Sequence, residues 1–271
     1  MSEEPEPVDG LAWFGREIEA ALIHKGATQN ELAAATGYGA PYVSKVKNGK
    51  AMASVLFAKA CDKFFNTSGY FERLLARISE RGHPGWFVPY VQMEKNADII
   101  EEYSPSFIMG MLQTPEYAEA IYRTAWPRET DDQIRARVEL RMLRREALER
   151  ANPPLLWVIL NEAVLRTVVG SRSIMVNQLQ HLLAMAEKPH VTLQVLPFSA
   201  GTPAAGQPFI LLTQEDGSAV LYSEAAGRGL INDSVSDVQK WSETYNRLRA
   251  MAEPESRSLA LIRSIMKEHA Q

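Results

Sequence analysis

Apolar residues recur at helical spacing through the first quarter of the chain. Phe14, Ile18, Ala21 and Leu22 define one stripe, and it ends at Lys25-Gly26, a basic last turn followed by a glycine suited to the C′ position. Thr28, with Glu31 three residues on, is a capping box opening a second short helix through Leu32, Ala33 and Ala35. Gly37 falls where a tight turn needs positive φ. Pro41 suits the first turn of a third helix with Val43 and Val46 facing inward, which Asn48-Gly49 ends. Ser54 is placed to cap a fourth helix whose inner face is Phe57, Ala60, Cys61 and Phe64. Four short helices, the second and third joined by a glycine-containing turn, predict a helix-turn-helix bundle.

Residues 66–85 begin and end with turn formers around one short helix at 70–81 and read as an interdomain connection. Beyond it the pattern mixes periods. Helices are predicted at 115–125, 131–151, 174–187, 234–252 and 255–269, and strands at 155–160, 191–196, 208–213 and 219–224. The run 155–160, the helix 174–187 and the run 191–196 have the lengths of a βαβ unit, so those two strands should be parallel. Residues 214–218 read as a hairpin turn. The expected fold class is a mainly α N-terminal bundle plus an α/β (α+β) C-terminal domain with a small mixed sheet flanked by helices. The expected division is an acidic flexible tail over 1–10, the helix-turn-helix bundle over 11–65, the connection 66–85, and a C-terminal domain over 86–271.

Charge changes the picture once it is split by segment. The chain has 29 Lys+Arg against 33 Asp+Glu, a formal net charge of -4, which argues against a nucleic-acid binder. Between His24 and Lys63, however, six lysines face only Glu31 and Asp62, and Lys45, Lys47 and Lys50 fall within six residues. Such a cluster is a local footprint for an approaching phosphate, felt within a Debye length of about 10 Å. The acidic excess elsewhere should repel DNA from every other face. With 46% hydrophobic and 23% charged residues the composition is that of a globular protein. The longest apolar runs have six residues against the roughly 18 of a membrane span, and the acidic N-terminus lacks the order of a secretory signal. A cytoplasmic protein without membrane contact is expected. The single cysteine excludes an intrachain disulfide framework and reads as a buried core thiol.

Thr28-Gln29-x-Glu31-Leu32-Ala33, then Gly37, then Tyr42-Val43-Ser44-Lys45-Val46-Lys47-Asn48-Gly49-Lys50 resembles the XRE-type (phage-repressor-like) DNA-binding module over roughly residues 11–65. The resemblance implies that the third helix enters the major groove of double-stranded operator DNA. It implies that Thr28 and Gln29 lie at a phosphate contact, that Lys45, Lys47 and Lys50 contact phosphate or groove, and that Ala40, Pro41, Tyr42 and Ser44 face base edges. Gly39-Ala40-Pro41 stands where that family usually carries Ser, Gln or Arg. It offers no side-chain donor for bidentate readout, so modest specificity per half-site is expected. Trp86-Phe87, Met111-Leu112-Gln113-Thr114-Pro115-Glu116-Tyr117-Ala118, Asn161-Glu162-Ala163-Val164-Leu165-Arg166 and Val195-Leu196-Pro197-Phe198 are similar to the C-terminal domain of actinobacterial WhiJ-like regulators, from about residue 82 to 265. That resemblance implies a transcription regulator, and with the helix-turn-helix module the leading expectation is a sequence-specific homodimer whose C-terminal sensing and dimerisation domain receives a small-molecule effector or protein signal. It implies, as the alternative, an antitoxin-like protein that sequesters a small partner protein and autoregulates its own operon.

Enzyme chemistry finds no purchase in the sequence. The five histidines show no HxxxH or HxH spacing for a metal, and GxGxxG, GxxxxGK[ST] and GxSxG are absent, so neither cofactor nor catalytic residues are expected. Glu162 and Arg166, four apart after a strand, read either as a structural ion pair or, with Gln113, as lining a ligand or partner site. The segment 131–151 carries two apolar stripes amid nearly balanced charges, the mark of a helix packed in a core or at an interface.

Overall fold

In a computed structural model, the described residues are 10–50, 53–81, 87–225 and 228–271. The acidic tail expected over 1–10 therefore lies, Gly10 apart, outside the described residues, as do Trp86 and the end of the 66–85 connection. The chain divides into two units, Met1–Gly85 with Glu129–Leu143, and Trp86–Arg128 with Arg144–Gln271.

The first unit is an α-bundle. Helix α1 (Gly10–Lys25) buries Phe14, Ile18 and Leu22. Helix α2 (Gln29–Thr36) starts at the expected capping box: the Glu31 N–H donates to Thr28 Oγ1 at 3.3 Å, and the Thr28 N–H donates to Glu31 Oε2 at 2.7 Å. Gly37 ends α2 in the left-handed region at φ +76°. Helix α3 (Ala40–Lys47) begins with Pro41 in its first turn and buries Val43 and Val46. Helix α4 (Val55–Phe65) is capped by the Ser54 hydroxyl and buries Phe57, Ala58 and Cys61. Helix α5 (Tyr70–Arg81) adds Phe71, Leu74, Leu75 and Ile78 to the same core. Buried Asp62 receives the Phe71 and Glu72 N–H groups at 3.0 Å each, and so caps the start of α5 from inside the bundle. Each of these large side chains contributes about 1.5–3 kcal/mol by leaving water. The bundle has a further member from far along the chain, α8 (Asp131–Leu143), which brings Leu140 and Leu143 to this core.

The second unit is built on one mixed six-stranded sheet in the order β3-β2-β1-β4-β5-β6. Strands β1 (Ala97–Ser104), β2 (Leu155–Asn161) and β3 (Val191–Leu196) are mutually parallel, with Tyr103 beside Ile159 and Leu160 beside Val195. Strands β4 (Phe209–Gln214), β5 (Ala219–Ala225) and β6 (Arg228–Asn232) follow antiparallel. Alternation along the strands divides the sheet into two faces. Ile100, Leu156, Val158, Leu193 and Leu212 pack on one side, in a core shared with α10 (Arg172–Met185) and α12 (Glu255–His269). Tyr103, Ile159, Leu211 and Leu221 pack on the other, against Tyr245 and Leu248 of α11 (Val235–Met251). The remaining helices are α6 (Val88–Asn96), α7 (Pro115–Ala125) and α9 (Glu162–Arg166). The outer edge of β3 is closed by the α11–α12 connection and the first turn of α12: the Glu253 N–H donates to Val195 O, and the Val195 N–H to Ser258 Oγ, each at 2.9 Å.

The fold class is the expected one, a helical bundle followed by an α+β unit. Two strands beyond the expected four appear, β1 and β6. The predicted helix 131–151 stops at Leu143. It gives way to a 3₁₀ turn over Arg144–Leu148, because the Arg144 side chain turns into the second unit's interior.

Candidate nucleic-acid interface

The outward surface of the helix-turn-helix follows from how α3 is seated. Val43 and Val46 fix its inner face. Pro41, Ser44, Lys45 and Asn48, spaced i, i+3, i+4 and i+7, therefore lie on the opposite stripe. Pro41, Lys45 and Asn48 are exposed, as is Ala40 at the helix start, and Ser44 is half-buried. Asn48 donates from Nδ2 to Ser44 Oγ at 3.3 Å, pairing two polar side chains on that stripe. In the sequence Asn48 reads only as a helix terminator; its spacing from Pro41 and Ser44 is the signal that places it here.

Gln29 fixes the angle between the two helices, its Nε2 donating to Ala40 O at 3.3 Å across the turn. Thr28 serves the start of α2, and its N–H and hydroxyl hold the Glu31 carboxyl below the ordinary carboxylate range. The three lysines diverge. Lys45 is exposed on the stripe. Lys47 turns aside to Glu19 of α1, Nζ to Oε1 3.1 Å. Lys50, its N–H bonded to Lys45 O at 2.7 Å, borders with Gly49 a cleft of about 120 Å³ whose other wall is α8: Asp132, Gln133, Arg135, Ala136 and Glu139. Arg135 Nη1 is 3.0 Å from Asp132 Oδ1, so the cleft carries both signs of charge.

Tyr42 points inward. Its ring stacks on Tyr38 with centroids 5.0 Å apart and meets Phe57 edge-on at 5.3 Å. Its hydroxyl accepts the Ser54 N–H at 3.0 Å. Burial raises its phenol above the ordinary value. The ring thus ties α3 to the start of α4. Cys61, beneath it in the same core, is pushed up to about 12 by burial.

The C-terminal candidates separate. Glu162 and Arg166 are brought together, Arg166 Nε to Glu162 Oε1 2.7 Å, and Arg166 Nη1 continues to Glu268 Oε2 at 2.7 Å. The second Glu162 oxygen accepts the Phe198 N–H at 2.8 Å. The pair therefore fastens α9 to α12 and to the turn after β3. Gln113 is buried in another loop, donating to Ile108 O at 2.6 Å. Sequence reasoning missed a buried polar cluster. Arg144 forks onto Glu94 through Nε and Nη2, both 2.7 Å, under the Phe87 and Tyr90 rings. Nearby Glu102, bonded by the Ser104 hydroxyl, is pushed up to about 8 by burial. Among the described residues no group of three or more His, Cys, Asp or Glu side chains could hold a metal ion, and no helix is long and apolar enough to cross a membrane.

A capped α2, a left-handed Gly37 turn and an outward polar stripe on α3 define a helix-turn-helix protein, and residues 18–70 match the Helix-turn-helix family. Residues 87–264 match the Domain of unknown function (DUF5753), and the chain belongs to that family. The helix-turn-helix match supports a DNA-binding regulator rather than an enzyme. No curated protein and no solved structure matches the chain.

Proposed function

We propose that the protein is a sequence-specific, cytoplasmic transcription regulator that binds double-stranded operator DNA as a homodimer, its C-terminal unit receiving a ligand or protein signal. The observation that carries this reading is the seating of α3: two buried valines on one side leave Ala40, Pro41, Ser44, Lys45 and Asn48 outward. Pro41 and Ala40 suit apolar contact with thymine methyls. Ser44 and Asn48 supply donors and acceptors, and Lys45, Lys50 and Gln29 suit phosphates. With Tyr42 committed to the core, side-chain readout per half-site is sparse, and dimer spacing and DNA shape supply much of the specificity. The WhiJ-like resemblance supports the same reading, and its antitoxin-like alternative predicts a stoichiometric small protein on purification from the native host.

Sequencing genomic fragments retained by the full-length protein tests the proposal. A two-fold symmetric motif with half-sites about one helical turn apart supports it. Retention without an enriched motif refutes it.

A further inference from the structure

The sheet of the second unit ends differently at its two edges. At β3, Ser258 and Glu253 take up the N–H and C=O of Val195. At β6, among the described residues, no strand but β5 pairs with it, and its outward backbone groups make no hydrogen bond. The ladder shows which groups those are. The Gln214 N–H donates to Ser218 O at 2.8 Å, and bonded and non-bonded pairs alternate along an antiparallel ladder. Leu212 with Val220 and Ile210 with Tyr222 are therefore bonded pairs, and Leu221 and Ser223 turn their backbone groups to β6. Those two meet Asn232 and Leu230. Gly229 and Ile231 are left with N–H and C=O directed away from the sheet.

Open edges are commonly shielded by lysine, proline or a bulge. Residues 229–232 hold none of these, and their register against β5 is unbroken. Leu230 instead stands 62% exposed there, and Val235, at the start of α11, 81%. Leu230 lies on the Leu221 face of the sheet, while Ile231 packs on the core of the other face. The edge is complementary to itself. About a two-fold axis through residue 230, a second copy sets its Ile231 opposite Gly229 and its Gly229 opposite Ile231, so each outward donor meets an acceptor. Of the two-fold registers, this one sets the exposed Leu230 against its own copy. The two leucines then form a non-hydrogen-bonded pair, the closer kind, with Cβ atoms about 4.5–5.5 Å apart.

We propose that β6 is an interface for a second copy of this chain, the two β6 strands pairing antiparallel about Leu230 into one continuous sheet. This rests on the reading of the protein as a homodimer, whose two-fold symmetry a palindromic operator mirrors. Two strands this short bury less than the about 1,200 Å² of a standard interface, so monomer and dimer should exchange in the micromolar range. Sedimentation velocity of the full-length protein over about 1–100 μM is the test. The wild type should pass from monomer to dimer. Leu230→Lys and Leu230→Glu each set like charges opposite one another and should each weaken the dimer about tenfold, while an equimolar mixture of the two should recover it. A wild type that stays monomeric, single variants that dimerise as it does, or a mixture no better than either variant overturns the proposal. Genomic fragments are selected with the same proteins. A wild type that dimerises through β6 but enriches no motif sinks the regulator reading and leaves the interface standing. A two-fold motif, together with Leu230 variants that dimerise like the wild type, does the reverse.

Discussion

Replacing Gly15 by alanine tests how the DNA-reading helix is seated. In an exposed helix the change gains about 1 kcal/mol from propensity. At Gly15 the added Cβ would lie 2.2 Å from Lys47 O, 2.9 Å from Lys47 C and 3.0 Å from Val46 O. All three are backbone atoms at the end of α3, so no side-chain rotation relieves them. Ordinary contact begins at 3.4 Å, and α1 and α3 must part locally by about 1.2 Å. Overpacking of this kind costs about 1–3 kcal/mol, and parting also loosens Val43 and Val46 against Phe14 and Ile18, so Gly15→Ala should lose about 1–2 kcal/mol net. Urea denaturation with amide exchange read over α1 and α3 gives the value for this unit alone. Ala20→Gly, exposed in the same helix, calibrates propensity with a loss of about 1 kcal/mol. DNA affinity should fall with stability, because the displaced backbone is that of α3. A Gly15→Ala protein as stable as the wild type, or more so, refutes the close approach.

Lys45→Ala should weaken DNA binding on all sequences and reduce the salt slope of log K by about 0.9, with Lys47→Ala smaller because Glu19 already holds that ammonium; an unchanged slope removes Lys45 from the interface. Tyr42→Phe should cost about 1 kcal/mol by leaving the Ser54 N–H without its acceptor, while base preference, measured across operator variants, stays as it was. Glu102 is raised from an ordinary value of 4.5 to about 8, so the native state holds a proton that the unfolded chain gives up between those values. The second unit should therefore lose stability as pH rises from about 4.5 to about 8 and then level off, and Glu102→Gln should flatten that slope in chemical denaturation. Arg144→Met strands the buried Glu94 carboxylate and should cost about 3–5 kcal/mol in urea titration; a loss no larger than that of an exposed substitution refutes the buried pair.

The parts legible in the sequence are those specified by neighbours along the chain. The Thr28–Glu31 box, Gly37, the Ser54 cap and the β2–α10–β3 unit each rest on residues within one or two turns, or on strand and helix length. Strand β1 escaped because Glu101 and Glu102 break its apolar alternation in the middle of the sheet. Glu102 is accommodated there by the Ser104 hydroxyl two residues on and by a proton affinity raised by burial, and that burial is set by distant parts of the chain. The position of Lys47 against Glu19 and the inward turn of Tyr42 are likewise decided across the bundle, where spacing says nothing. The charge cluster was visible as composition, but which of its lysines faces outward was not.

The contribution of α8 to the first unit has a consequence for synthesis. Helices α1 to α5 emerge well before Leu140 and Leu143, which are separated from α5 by all of β1 and α7. Domains generally fold as they leave the ribosome. Until then the bundle lacks the two leucines of α8, and a gene fragment cut after α5 would encode the DNA-binding helices without them.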